Sequence, residues 1–286
     1  MIEIQELLFF QTIAECGSFS AASAKLNYAQ SNISTKIRQL EKRLGVPLFY
    51  RNNKGIELTE KGHIFFHYAN HILQLIQEAE NAVREDGTAH GSLVIGSLET
   101  IAHVHLPNLL AEYHRKYPSV QLSIHTATSA ELVDSVLTRK IDAAFISGPI
   151  TDTDLIAIPF TKEEMVLASS SSIQIQGIVN STALVFAQGC YYRHLLEELF
   201  KEWNIIPKQI IEFNSTDAVL SSLCAGFGIA LLPENLLKTC ACSDITTMKI
   251  PEPYSTAQTH LIYRKDYFIT VAFKCFCKCC NVYTDK

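Results

Sequence analysis

The chain has 286 residues, of which 48% are hydrophobic and 19% charged, and its formal net charge is −5. This length exceeds that of a typical single domain, so two or three compact units with sizeable cores are expected. No apolar run approaches the roughly 18 residues that a membrane span needs, and the acidic start MIEIQELLFF lacks the positive charge of a secretory leader. These features argue against a membrane protein and predict a cytoplasmic one.

Charge is divided unevenly along the chain. Residues 25–61 contain eight basic and three acidic residues, a local net charge of +5, whereas the rest of the chain has 16 basic and 26 acidic residues, or −10. A basic segment joined to an acidic body suits a polyanionic partner, such as nucleic acid, for the first part only.

Three helices are predicted before residue 45. Apolar spacing predicts a first helix over residues 3–15, and a second begins near Ser18, which can cap it. A short turn at 27–29 separates the second helix from a third over about 31–44. Two helices joined by a three-residue turn describe a helix-turn-helix unit.

The third helix has two unlike faces. Its large apolar residues form one narrow stripe, and short polar or basic side chains lie opposite. Short hydroxyl side chains let a helix enter the major groove of double-stranded DNA, and an arginine fork pairs with guanine or phosphate. The alternative is a solvated helix in an unrelated bundle. The predicted DNA contacts on this helix are Gln30, Ser31, Ser34, Thr35, Arg38 and Lys42.

A wing is predicted after the third helix. Two short extended runs flank the turn sequence from Asn52 to Gly55. Arg51 and Lys54 lie at its edge, where we expect contact with phosphate or the minor groove. A plain solvent-exposed hairpin is the alternative.

A long helix follows, from about Glu60 to Arg84, with Thr59 as its cap. No neighbouring segment covers its apolar stripe, which predicts pairing with the same helix of a second subunit. Such a homodimer would present two DNA-binding units to the two half-sites of an inverted repeat. The stripe contains Phe65, Tyr68, Ile72, Leu75, Ile76, Ala79 and Val83.

The segment AASAKLNYAQSNISTKIRQLEKRLGVPLFYRNNKGIELTEKG strongly resembles the LysR-type transcriptional regulators. The positions that carry this resemblance are Ala21-Ala22, Leu26, Gln30-Ser31, Ser34, Ile37, Leu40-Glu41, Leu44-Gly45, Leu48-Phe49, Arg51, Leu58-Thr59 and Gly62. The rest of the chain follows the family order through Gly91 to Gly96, Leu106-Pro107, Tyr117-Pro118, Asp142 to Ala144 and Gly226 to Pro233.

The resemblance implies an α/β fold class with an N-terminal all-α winged helix-turn-helix, a long dimerisation linker helix and a two-lobed effector domain like a periplasmic binding protein. The expected boundaries are 1–58 for the winged unit, 59–87 for the linker helix and 88–286 for the effector domain. Within the effector domain we expect lobe I at about 92–162 and 265–286 and lobe II at about 163–264. The family further implies a transcriptional regulator, not an enzyme, that binds promoter DNA, senses a small-molecule effector and assembles as a homotetramer.

The residues of the body independently predict two similar α/β halves. Short apolar runs alternate with helical patterns, which is typical of parallel sheets with crossover helices. The predicted strands are 93–95, 120–124 and 143–146 in the first half and 184–187, 210–213 and 229–232 in the second. The predicted helices are 106–117 and 129–140, then 191–204 and 216–225.

Ligands of such sheets bind beyond the carboxyl ends of the strands, where loop and helix N–H groups point into a crevice. For each hydroxyl in these loops, the alternative to ligand contact is an ordinary helix-capping role. The stronger argument for a ligand site is that such residues converge on the crevice from both halves. The residues that this rule selects are Ser97, Thr100, Thr128, Ser129, Ser147, Gln188, Cys190, Ser215 and Thr216.

Two charged residues are relevant to the charge of the effector. Glu99 would repel a carboxylate unless it points away, whereas Arg193, in the first turn of its helix, would attract an anion or point to solvent. We expect an acidic metabolite.

Cys190 stands at a predicted helix start, where N–H groups lower a thiol pKa. A thiol switch is therefore one alternative function, although Leu199 occupies the region of a resolving partner. A more remote alternative is a cysteine hydrolase with His194 as its base. The plain interpretation is a small residue that lines the crevice.

The nine cysteines lack the spacing of a secreted disulfide framework, which predicts mainly reduced thiols. The tail KCFCKCCNVYTDK, with Cys275, Cys277, Cys279 and Cys280, departs from the paired spacing of a structural zinc site. If this segment forms a helix from about Phe268, the favoured interpretation is that one side of the helix packs in the core of lobe I. The alternative is a metal switch that also uses Cys240 and Cys242. No metal and no cofactor is predicted.

Overall fold

The computed structural model describes residues 1–52, 55–83, 87–170, 175–240 and 244–282. The chain divides into two compact units, Met1–Glu85 with Thr138–Lys140, and Asp86–Leu137 with Ile141–Lys286. In the parts of the chain that the structure describes, no helix has the length and apolar character to cross a membrane.

In its described residues, the first unit contains four helices and one hairpin. They are α1 (Ile4–Cys16), α2 (Phe19–Leu26), α3 (Gln30–Leu44), β1 (Phe49–Asn52), β2 (Gly55–Leu58) and α4 (Glu60–Val83). The predicted caps are present: the Ala21 amide donates to the Ser18 hydroxyl at 3.4 Å, and the Gly62 amide donates to Thr59 Oγ1 at 2.9 Å. Asn27, in the left-handed region at φ 56°, ends α2 and starts the turn into α3.

The core of the first unit lies between α1 and α3. Ile33, Ile37 and Leu40 of α3 are fully buried with Phe9 and Phe10 of α1. This is the apolar stripe that the helical period predicts, so α3 has one orientation in which its polar side faces outward. The helix-turn-helix order of α2 and α3 is confirmed.

Helix α4 carries two apolar faces rather than the single stripe that we predicted. Phe65, whose ring centroid lies 5.0 Å from that of Phe10, packs on α1. Tyr68 and Ile72, by contrast, remain 59% and 41% exposed. The prediction placed Phe65 in the uncovered stripe because the sequence does not show that α1 approaches that side. The predicted end of this helix, Arg84, lies outside the described residues.

The second unit begins with β3 (Gly91–Ser97), α5 (Glu99–Val104), α6 (Leu106–Lys116), β4 (Val120–Thr126), α7 (Ser129–Leu137), β5 (Ala143–Ser147) and β6 (Leu155–Ser169). It continues with α8 (Ile175–Ile178), β7 (Thr182–Phe186), α9 (Tyr191–Glu202), β8 (Gln209–Phe213), α10 (Thr216–Cys224), β9 (Ile229–Pro233) and α11 (Glu234–Lys238). It ends with β10 (Thr246–Lys249), β11 (Thr256–Arg264) and α12 (Val271–Cys279).

Strand β6 joins two α/β halves in this unit. The strand order is β4-β3-β5-β11-β6-β9-β7-β8, with β10 also on β6. The pairings of β3 with β4 and β5, and of β7 with β8 and β9, are parallel, as the alternating pattern predicts. The first part of β6 pairs with β11, and its last five residues pair with β9. The α/β fold class is confirmed.

One predicted lobe boundary needs correction. We placed residues up to 264 in the second lobe, but β11 pairs with β5 over Thr259–Tyr263 and so lies in the sheet of the first lobe. Strand β11 is antiparallel to both of its neighbours and returns to the first sheet only after the chain has passed through the second half, so no local strand–helix–strand pattern marks its place.

Helix α12 packs on the first lobe, as predicted. Phe273, Phe276, Cys277 and Cys280 are buried in the same core as Leu93 of β3. The helix begins at Val271 rather than near Phe268, because the Thr270 hydroxyl caps it by accepting a bond from the Phe273 amide at 3.1 Å.

Candidate DNA-binding face and effector cleft

The outer side of α3 presents the predicted DNA-contacting residues to solvent. Gln30, Ser31, Thr35, Arg38 and Lys42 are exposed, and Ser34 is half-buried. The Thr35 hydroxyl donates to the Ser31 carbonyl at 2.8 Å, which holds these short side chains against the helix. The low profile that groove entry requires is therefore present on this face.

The basic residues of α3 fall into two groups. Lys36 donates to Glu3 Oε2 at 2.7 Å, and Arg43 pairs with the buried carboxylate of Glu6, so both are tied to α1. Arg38 and Lys42 have no ion-pair partner among the described residues. The sequence does not separate these groups, because Glu3 and Glu6 meet α3 only in the folded unit.

The wing is described only in part. Strands β1 and β2 pair antiparallel, with Phe49 opposite Leu58 and Tyr50 opposite Glu57. Lys54 lies outside the described residues, and so does the side chain of Arg51. Their predicted DNA contacts stay predictions.

A cavity of about 360 Å³ lies within the second unit, between its two α/β halves. Of the predicted cleft residues, Thr100 and Thr128 line it from the first half and Gln188 and Cys190 from the second. The complete lining is Leu98, Glu99, Thr100, Thr126, Ala127, Thr128, Glu131, Phe186, Ala187, Gln188, Cys190, Tyr192, Phe213 and Asn214.

Two further predicted residues line a neighbouring cavity of about 640 Å³, which shares Gln188 and Cys190 with the first. Ser129 donates to the Ser147 carbonyl at 3.0 Å and accepts from the Ser147 amide at 3.3 Å. The Ser147 hydroxyl lies 2.6 Å from that of Thr259. These hydroxyls join α7, β5 and β11.

Three predicted residues do not line either cavity. Ser97 is fully buried and donates to the Leu98 carbonyl at 2.9 Å. Ser215 and Thr216 begin α10, but Phe213 and Asn214 before them provide the lining. At these points the residues that the strand-end rule selected lie next to the cavity lining rather than in it, because the backbone turns before the helix begins.

Glu99 reaches across the cleft. Its Oε2 accepts a hydrogen bond at 2.9 Å from the amide of Thr216, the first residue of α10 in the other half. A carboxylate is the ligand that a helix N-terminus favours, so the protein's own side chain occupies this position. The neighbouring Thr216 hydroxyl is buried and has no hydrogen-bond partner among the described residues.

Glu131 is the second carboxylate of the cavity. Its Oε2 accepts from the amide and hydroxyl of Thr128 at 3.0 and 2.8 Å. These two hydrogen bonds lower the pKa of Glu131 below its ordinary value, so it is ionised at neutral pH.

A buried polar chain that the sequence did not reveal includes Thr100 and Tyr192 of the cavity lining. The Tyr192 hydroxyl donates to Glu163 Oε2 at 2.5 Å, and Glu163 Oε1 lies 3.2 Å from His105 Nε2. The Thr100 hydroxyl lies 3.4 Å from that of Tyr192. Burial, then the nearby Glu163 carboxylate, raise the pKa of Tyr192 well above its ordinary value. The chain joins α5, β6 and α9 and thus connects both halves.

Arg193 lines the larger cavity rather than the smaller one, and it is paired with carboxylates. Its Nε donates to Glu197 at 2.7 Å, and its Nη1 donates to the Phe186 carbonyl at 3.2 Å and to Glu212 at 2.5 Å. The attraction for an anion that the sequence suggested is thereby offset by two carboxylates. Among the described lining residues of the smaller cavity there is no Lys, Arg or His.

Cys190 lacks the character of a reactive thiol. Burial raises its pKa, and the amides of Arg193 and Tyr192 offset this only in part. The backbone amide of His194 donates to the Cys190 carbonyl at 3.2 Å, and the His194 side chain is exposed. A nucleophilic cysteine requires the opposite, a lowered pKa.

The C-terminal cysteines are core residues or their neighbours. Burial raises the pKa of Cys277 to about 12 and raises that of Cys280 further. Among the described residues no group of three or more His, Cys, Asp or Glu side chains is arranged to hold a metal ion. Cys242, which entered the metal alternative, lies outside the described residues.

Comparison with known proteins agrees with this architecture over nearly the whole chain. Residues 4–63 match the family of bacterial regulatory helix-turn-helix proteins of the LysR type, and residues 86–282 match the LysR substrate binding domain. The HTH-type transcriptional regulator GltR of Bacillus subtilis is 41% identical over 280 residues, covering 96% of this chain and 95% of the relative. The regulator CzcR of Bacillus thuringiensis is 37% identical over 279 residues, covering 97% and 96%.

Solved structures share the fold. A full-length OxyR variant from Pseudomonas aeruginosa superposes with a TM-score of 0.75 at 19% identity, covering 100% of this chain and 99% of the other. Full-length CbnR in complex with its target DNA gives a TM-score of 0.69 at 24% identity, covering 98% and 99%. The helix-turn-helix unit, the cleft between two α/β halves and these matches together show that the chain belongs to the LysR family of bacterial transcriptional regulators.

Proposed function

We propose that this protein binds double-stranded promoter DNA through the outer face of α3 and the wing, and that a small molecule in the cleft changes that binding. The availability of Arg38 and Lys42 carries the first half of the proposal, because the other α3 cations are tied to α1. The second half rests on a cavity of about 360 Å³ lined from both α/β halves. A ligand that contacts both halves favours one arrangement of them over another.

A dimer built on α4 fits this role. Ile64, Tyr68, Ile72 and Leu75 are 53%, 59%, 41% and 46% exposed and fall within one face of the helix. Pairing of two such faces would bury them and hold two α3 helices for two half-sites. The family resemblance supports a further step of assembly, in which two such dimers form a tetramer. A regulator of this kind works beside DNA in the cytoplasm, and we assign it no catalytic activity.

Selection of duplexes from a randomised pool tests the DNA-binding role. We expect enrichment of a site with two inverted half-sites, whose affinity falls steeply with salt because phosphate contacts release counterions. Failure to enrich any sequence above the starting pool would contradict the proposal.

The lining favours an effector with a cationic or uncharged polar end. Glu99 and Glu131 place two carboxylates on the cavity, and Phe186, Phe213 and Tyr192 supply aromatic surface. Carboxylates and aromatic faces both attract an ammonium group. A carboxylate ligand would instead compete with Glu99 for the N-terminus of α10.

Substitution of Glu99 by Gln tests this charge preference. Gln keeps an acceptor for the Thr216 amide but removes the charge, so amine binding should weaken about tenfold, or about 1.4 kcal/mol. The measurement is calorimetric titration with phenethylamine and with 3-phenylpropionate, a pair that differs chiefly in the charged group.

Glu112→Gln on α6 is the matched control. It makes the same chemical change, but Glu112 and its partner Lys116 line neither cavity. Tighter binding of the carboxylate than of the amine by the unaltered protein would refute the charge preference and leave the DNA-binding role untouched.

A further inference from the structure

Two cysteines of the second α/β half are placed for reaction with each other. The sulfur atoms of Cys224 and Cys240 are 3.5 Å apart, close enough for a thiol hydrogen bond. Both residues carry thiols and are half-buried. A disulfide requires about 2.0 Å between the sulfurs, so bond formation needs a movement of about 1.5 Å.

The pair links two different elements. Cys224 is the last residue of α10, and Cys240 follows α11, with its amide donating to the Leu237 carbonyl at 3.1 Å. Cys240 packs against the cluster that contains Val219 and Leu236. The two cysteines are 16 positions apart in sequence, so they meet because α10 and α11 pack together rather than because they share a turn.

We infer that Cys224 and Cys240 form a reversible dithiol–disulfide site. The oxidant is a peroxide: one thiolate attacks a peroxide oxygen, the O–O bond breaks, and the sulfur becomes a sulfenic acid as hydroxide leaves. The second thiolate then attacks the sulfenic sulfur, the S–O bond breaks as the S–S bond forms, and hydroxide leaves and takes a proton from solvent to become water. Two sulfurs together give up two electrons to the peroxide, and a dithiol reductant returns two electrons and two protons.

The site joins two segments, α10 and the end of α11, whose helices each contact α5 of the first half. Helix α10 begins at Thr216, whose amide donates to Glu99 of α5, and Val104 of α5 packs on the cluster that contains Leu236 of α11. A Cys224–Cys240 bond would fix α10 to the end of α11 and thereby stiffen the two elements that meet α5. This site is distinct from Cys190 and from the α12 cysteines.

The test is peptide mapping of the full-length chain. The reduced protein is treated with hydrogen peroxide, its remaining thiols are alkylated, and proteolytic peptides are analysed by mass spectrometry without reductant. We expect loss of two thiols per chain, a cross-linked peptide pair containing Cys224 and Cys240, and recovery of both thiols with dithiothreitol.

Variants identify the pair. Cys224→Ser and Cys240→Ser should each abolish the cross-link, and Cys16→Ser, a half-buried thiol of the first unit, should leave it unchanged. The mapping of the unaltered protein decides the matter even if a variant folds poorly. Absence of the cross-link at every peroxide dose, or a bond from Cys240 to Cys242 in its place, would overturn the inference.

Discussion

Arg38 and Arg43 lie on the same helix but have different surroundings. Arg43 is paired with the buried carboxylate of Glu6, whereas Arg38 is exposed on the face opposite the core. An arginine already paired within the protein offers its guanidinium to DNA only at the cost of that pair. Arg38 is therefore the α3 residue that we expect to read a base.

Arg38→Ala should weaken binding to the selected duplex by about 1–3 kcal/mol if its fork contacts a base edge. Fluorescence anisotropy with the selected duplex and a scrambled one, at a single salt concentration, measures the loss and its sequence dependence. Arg115→Ala, which removes the same charge from an exposed position of α6, is the control. Equal affinities for Arg38→Ala and Arg115→Ala would show that α3 is not the reading helix.

At the scale of elements, the carboxylate of Glu6 on α1 links this helix to α3. Glu6 Oε2 accepts from the Glu3 amide at 2.9 Å and from the Arg43 guanidinium. Burial alone would raise the pKa of Glu6, but these hydrogen bonds outweigh it and lower the pKa below its ordinary value of 4.5. The ionised form therefore stabilises the contact between the two helices.

Glu6→Gln should lower the local free energy of unfolding of α1 and α3 by about 1–3 kcal/mol at neutral pH, since it removes a charge-assisted hydrogen bond. Hydrogen exchange of the α1 and α3 amides measures this quantity. Because the folded pKa is lowered, the difference is complete above pH 4.5 and disappears as pH falls through the folded pKa. Glu15→Gln, in an exposed pair with Lys25, should change exchange little.

At the scale of the whole molecule, the proposed dimer rests on the outer face of α4. The helix turns Ala69 and Phe65 toward α1 and leaves Tyr68 and Ile72 exposed. Exposed apolar side chains spaced by three and four positions are typical of a helix that pairs with another helix.

Ile72→Asp should convert the assembly to a smaller species, because pairing would bury an unpaired carboxylate in the apolar seam. Light scattering after gel filtration gives the mass directly. His63→Asp, on the opposite side of α4, introduces the same charge outside the seam and should leave the mass unchanged. Unaltered mass in Ile72→Asp would place the dimer contact elsewhere.

Local sequence patterns predict much of this protein's secondary structure and core. The 3.6-residue period places Ile33, Ile37 and Leu40 in the core and Arg38 outside, and the hydroxyls of Ser18 and Thr59 mark helix starts. The alternation of apolar strands and helices predicts both parallel sheets. These features depend on residues a few positions apart, so the sequence displays them directly.

Other properties depend on residues that only folding brings together. Glu99 bonds to Thr216, 117 positions later, and this contact turns an expected anion site into one filled by the protein itself. The buried link from Glu163 to Tyr192 spans 29 positions, and β11 joins the first sheet after the chain has passed through the second half. The sequence by itself determined the DNA-binding helices, the parallel strands and the family. The tertiary structure alone decided which charges remain available to a ligand, because pairing across long chain separations follows the path of the chain rather than a local period.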